Sequence, residues 1–181
     1  VPKMKQDHPL ETYFHQALRQ ALRERLGLGD TDDVEHYLAQ MLAAFVHRDR
    51  IYAIRDADGR RVETVAEMMV EGDVRLNADS FDREREVHRH IGDFVLFWSG
   101  MFPEFLRELK RPGGKDSLVD LAAQGRESYH IVSTFEHDPY GAEAPTFRKL
   151  SEQFELYQRG LLLVRASLDG LGNPWSQGFE A

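Results

Sequence analysis

Residues 83–109, REREVHRHIGDFVLFWSGMFPEFLREL, begin as a charged segment and end as one that is apolar on every side. At roughly 100° per residue, Val87, Ile91, Phe94, Trp98, Met101 and Phe105 fall on one face of a helix, while Leu96 points away from them. A helix apolar all round must be covered all round, so the rest of the chain is expected to pack about it as a bundle. Gly92 and Gly100 offer places of close helix contact. Pro103 cannot continue a helix without losing a backbone bond, and it steers Phe102 out of the α region. A break is therefore expected at residues 100–102, with Pro103 opening a short segment to about Leu109.

The flanking sequence supplies the covering helices. Leu10, Phe14, Ala17, Leu18, Ala21 and Leu22 recur at three- and four-residue spacing, and Gly27 and Gly29 end that run. Asp30, Thr31, Asp32 and Asp33 offer N-caps for a second helix to about His47, with Val34, Leu38, Met41, Leu42 and Phe45 as its core face. Beyond Arg50 the pattern changes. Ile51, Tyr52 and Ile54 precede the turn Asp56-Ala57-Asp58-Gly59, and Arg61, Val62 and Thr64 follow it, which predicts a β-hairpin over residues 50–64. Thr64 through Glu67 match a capping box for a short helix that Gly72 closes. Asp79 or Ser80 caps the central helix. Past the Arg111-Pro112-Gly113-Gly114 loop, Asp116 or Ser117 is expected to cap a helix with core face Leu118, Leu121, Ala122, Gly125, Tyr129 and Val132. After a second loop at 137–145, Phe147, Leu150, Phe154, Tyr157, Leu161, Val164 and Leu168 read as one unbroken seam. That seam suits the bundle interior or a homodimer contact, the former being the more economical. The tail, 170–181, reads as irregular, with Trp175 and Phe179 available to dock it. The expected fold is mainly all-α: a single-domain antiparallel helical bundle over residues 1–181, with one small inserted β-hairpin.

Composition narrows the function classes. The 181 residues include no cysteine, which removes disulfides, thiolate metal sites and a Cys nucleophile, and fits a cytoplasmic protein. The formal net charge is −8. The arginines alternate with acids, as in Arg23-Glu24-Arg25 and Arg83-Glu84-Arg85-Glu86, which makes a solvated helix face rather than a phosphate-binding patch. No nucleic-acid partner is expected. Apolar runs such as 41–46 and 94–98 are far short of the ~20 residues of a membrane span. The basic N-terminal residues have no apolar stretch behind them and do not read as a signal peptide. Neither a phosphate-binding Gly-rich loop nor a nucleophile elbow occurs, so no nucleotide site is expected.

The candidate chemistry is a set of carboxylates and imidazoles. Glu86, His90 and Asp93 share one strip of the central helix, and Glu127 and His130 sit at Glu-x-x-His spacing on a later one. Inward-facing groups of this kind are how helical bundles hold iron, manganese or zinc. The full di-metal pattern needs two such pairs and two further glutamates, and this chain has one. The plainer reading pairs Glu84 with His88, Glu86 with His90 and Arg89 with Asp93, each one turn apart. Asp93 stands out because it lies where the helix turns apolar, and a buried carboxylate must be paired or protonated. Its partner is expected to be Arg89, another cation or a tyrosine hydroxyl.

The run His90-Ile91-Gly92-Asp93, Leu96-Phe97, Gly100, Phe102-Pro103-Glu104, followed by Gly125 and Tyr129, resembles a family of uncharacterised bacterial all-helical proteins. The resemblance spans about residues 83–132 and departs at Leu118-Val119-Asp120-Leu121, where an aromatic-rich helix start is expected. It implies a small soluble helical protein and assigns no activity and no catalytic residue. The reading is of a non-enzymatic helical binding or assembly protein with no resident cofactor. The alternative is a metal- or small-ligand-binding bundle using Glu86, His90, Asp93, Glu127 and His130, in the oxidoreductase class if the metal is redox-active.

Overall fold

The structure, a computed structural model, describes residues 9–171 and 174–175. Nine α-helices occur among them: α1 (Pro9–Arg19), α2 (Asp32–Phe45), α3 (Arg48–Ile51), α4 (Val65–Gly72), α5 (Phe81–Met101), α6 (Pro103–Leu109), α7 (Leu121–Ser133), α8 (Ala144–Glu152) and α9 (Phe154–Asp169). A π-helical turn, Gln20–Arg25, extends α1. Among the described residues no helix is long and apolar enough to cross a membrane.

The central stretch forms α5, and every residue from His90 to Phe102 is buried. Helix α5 packs against α4, α7 and α9. Gly92 and Gly100 set the two closest approaches. A Cβ at Gly92 would meet the Tyr129 ring of α7 at 2.5 Å, and one at Gly100 would meet Leu161 of α9 at 2.7 Å. The helix ends at Met101 as expected, because Phe102 leaves the helical region and Pro103 starts α6. Aromatic rings fill the space around the break, with Trp98 stacked on Phe105 at 4.6 Å and Phe97 edge-on to Phe45 at 5.2 Å. Trp175 closes this cluster from the tail, and its Nε1–H donates to the Phe45 carbonyl at 3.0 Å. Phe179 lies outside the described residues.

Ser80 caps α5, its hydroxyl accepting from the Arg83 N–H at 3.2 Å. Replacing Ser80 with Ala is expected to cost about 1 kcal/mol of unfolding free energy in a urea titration. Thr64 and Glu67 form the predicted capping box at α4, with Thr64 donating to Glu67 Oε2 at 2.7 Å.

Four expectations need correction. No β-hairpin forms over 50–64, where Arg55 and Arg61 make an isolated bridge and nothing more extended. Ile51 ends α3, and Ile51, Tyr52, Ile54 and Val62 all turn into the core instead of alternating, so burial overrides strand pairing. The turn itself forms, with Gly59 at φ +76° and Asp56 accepting from the Asp58 and Arg60 amides. Second, Asp116 does not cap α7. It is 1 % exposed and caps α4 instead, accepting from Val65 N–H at 3.0 Å and Ala66 N–H at 2.8 Å. Asp120 caps α7. Third, Leu118 is 98 % exposed and belongs to the loop, not to the core face. Fourth, the last seam is two helices, α8 and α9, broken at Gln153, where no Pro or Gly marks the break. The stripe from Phe147 to Leu168 continues across it, buried within its own chain.

Candidate ligand-binding site

Asp93 is 8 % exposed and lies midway along α5. Its Oδ1 accepts from the Tyr129 hydroxyl of α7 at 2.8 Å, and the Tyr37 hydroxyl of α2 reaches both carboxylate oxygens at 2.8 Å. Gly92 makes this possible, because only without a Cβ there can the Tyr129 ring lie flat enough on α5 to reach the next residue. Burial pushes the Asp93 carboxyl up to about 6, against the opposing pull of Arg89 and of the two tyrosine bonds. Burial and the neighbouring Asp93 hold both phenols well above their usual range.

None of the three one-turn pairs expected on α5 accounts for its partners. His90, 8 % exposed, directs Nε2 at the Ile51 carbonyl at 2.8 Å. Since a carbonyl can only accept, Nε2 carries the proton and Nδ1 the lone pair. Burial holds this imidazole down to about 4, with the Ile51 bond opposing and the Arg89 charge adding to the effect. His88 is buried against Ser128 at 3.1 Å, and Glu86 is exposed and pairs with Arg83 at 3.1 Å. Arg89 is left over. Half-buried, its guanidinium has no hydrogen bond and no ion pair among the described residues. Glu143 bears on its charge from a distance but is bonded at 2.7 Å to Arg85, itself laid over the Tyr140 ring at 4.0 Å.

Arg89 and Asp93 line the same cavity, about 230 Å³ in volume, between α2, α5 and the segment following α3. Met41, Ala44, Phe45 and Ala53 give it an apolar side. Gln40 and Arg50 stand on its exposed rim. The arrangement is a pocket with one apolar side, several convergent polar and charged groups and a perturbed carboxyl, features that mark a candidate small-molecule site. A second cavity of about 210 Å³ adjoins it across Tyr37 and Gln40, toward α8.

The sequence-derived candidates therefore separate. His90 and Asp93 reach the cavity, whereas Glu86, Glu127 and His130 are all exposed at the helix surfaces. No group of three or more His, Asp or Glu side chains that could hold a metal comes together among the described residues. Tyr37, Arg50 and Arg89 were not singled out as site residues from sequence. Tyr37 flanks the apolar stripe of α2 beside Leu38, which is where a tyrosine with a buried tip is placed. Arg89 was hidden by Asp93 four residues on, a spacing that suggested a salt bridge. Comparison with protein-family models, with curated proteins and with solved structures returns no match.

Proposed function

We propose that this chain is a non-enzymatic helical binding protein for a small organic anion, held in the cavity between α2 and α5. The observation that carries the reading is Arg89: a half-buried guanidinium in a cavity wall, with no bonded acid among the described residues. A cation withdrawn from water loses hydration, and a ligand carboxylate or comparable oxyanion restores it through two parallel N–H···O bonds. Arg50, exposed on the rim with no side-chain partner among the described residues, adds to the attraction for an entering anion. The apolar wall of Met41, Ala44 and Phe45 suits a ligand with a hydrocarbon body.

The size is limited. On the scale by which a cavity of ~150 Å³ takes up benzene, this one accommodates roughly ten non-hydrogen atoms. Calorimetric titration with a panel of aromatic and branched-chain carboxylates tests the reading. Arg89→Met, which keeps the stem and removes the charge, is expected to weaken any such binding at least ~10-fold. A panel in which nothing binds, or binding indifferent to that substitution in a folded protein, removes the proposal.

A further inference from the structure

We infer that the ligand is a weak acid, a monocarboxylate, which binds Arg89 as the anion while Asp93 takes up a proton and donates it to the ligand oxygen. This rests on the binding reading above and specifies its chemistry. The geometry sets the problem. Of the two arginines lining the cavity, Arg50 is exposed on the rim, and the half-buried Arg89 shares its wall with a carboxylate one turn away, so a second anion bound at Arg89 must contend with the first for that positive charge. Two carboxylates close together on one cation do not both stay ionised. The tyrosines cannot relieve the conflict, since each has one hydroxyl proton and both are directed at Asp93.

The remaining groups facing Asp93 narrow the outcome. From α5 itself they are Arg89 and His90, from α2 Tyr37 and from α7 Tyr129, with Arg50 on the rim and Glu143 acting through Arg89. His90 Nε2–H is committed to the Ile51 carbonyl, so it supplies no proton without losing that bond. The proton enters from water, one per ligand bound. Of the two carboxylate oxygens, Oδ1 takes both tyrosines and Oδ2 takes a share of Tyr37 alone. Oδ2 is thus the oxygen with room for a proton and a further bond. An O–H···O⁻ bond is short and strong when the acceptor is a carboxylate, and poor when it is a sulfonate, whose conjugate acid is far stronger. The site therefore discriminates by basicity as well as by charge.

Benzoate and benzenesulfonate, alike in shape and charge, are the probes. With the full chain, benzoate is expected to tighten as pH falls from 8 to 6.5, by at most about tenfold per pH unit. Mixing in a weakly buffered solution at pH 7 should consume close to ~1 proton per benzoate bound, read with a pH-stat. Benzenesulfonate is expected to bind at least ~10-fold more weakly. Asp93→Asn should flatten the pH dependence and abolish proton uptake, although the proton count on the unaltered protein stands without that variant. Benzoate binding with no proton consumed, or sulfonate binding equally well, overturns the inference and leaves an anion site. Failure of both probes and of the wider carboxylate panel overturns the binding reading itself.

Discussion

Gly92→Ala is expected to destabilise the protein by about 3 kcal/mol, although alanine is the better helix former by about 1 kcal/mol. The added methyl would lie 2.5 Å from Tyr129 Cε1 and 2.6 Å from Cδ1, closer than a real Cβ approaches anything. Tyr129 is fully buried and wedged near Phe147 and Phe154, at ring separations of 5.8 and 6.1 Å, so it cannot swing aside freely. Overpacking of this kind costs about 1–3 kcal/mol. Moving the ring also strains the Tyr129–Asp93 bond, whose loss with a charged acceptor adds about 1.5–3 kcal/mol. Tyr129→Phe separates the contributions, since it removes the hydroxyl and keeps the ring. Urea titrations of both variants are the measurement. A Gly92→Ala protein no less stable than Tyr129→Phe would show that the helices separate easily, and that the close α5–α7 approach does not hold the site.

The central helix was legible because its own residues dictate it: a capping Ser80, an all-round apolar second half and Pro103 at the break. The covering helices α1, α2 and α7 were legible by the same periodicity, and so was the stripe of α8 and α9, though not its break at Gln153. What the sequence could not show were choices made at long range. Asp116 reads as a local cap, yet it caps a helix some fifty residues earlier because that is where the first two N–H groups of α4 need an acceptor. Ile51 and Tyr52 read as a strand, yet the core they enter is built by other helices. The site failed in the same way. Asp93 was conspicuous from its place at the wet–dry boundary of α5, and a tyrosine hydroxyl was among its expected partners. Which tyrosines, and the release of Arg89 that follows from their choice, depend on the packing of α2 and α7. The Glu-x-x-His spacing of Glu127 and His130 proved uninformative because spacing does not say which face of a helix turns inward, and both residues are exposed.

Between pH 6.5 and 4 the stability of the unaltered protein is expected to change little, because two buried groups in one wall act in opposite directions. Asp93 in the folded chain stands at about 6, above its ordinary 3.8. As pH falls through that interval the folded state takes up the proton first, so folding gains roughly 3 kcal/mol and loses it again as pH rises past 6. His90 stands at about 4, below its ordinary 6.5. Here the unfolded chain takes up the proton first, so folding loses roughly 3 kcal/mol over nearly the same interval. His88, also lowered by burial, tilts the balance toward loss. Below about pH 4 the paired carboxylates Asp33 and Glu67, both held under their usual values, add a further loss. Urea unfolding at half-unit pH steps separates the two groups. Asp93→Asn removes the gain and is expected to expose an acid-side loss of roughly 3 kcal/mol. His90→Gln, whose amide can still donate to the Ile51 carbonyl, removes the loss and should make the protein more stable as pH falls to 4. The decisive quantity is the sign of the slope, which is independent of what either substitution does to stability at pH 7. Two variants sloping the same way would mean that one of the groups is solvated in the folded chain. In that event Asp93 and His90 are not the buried floor of a ligand site.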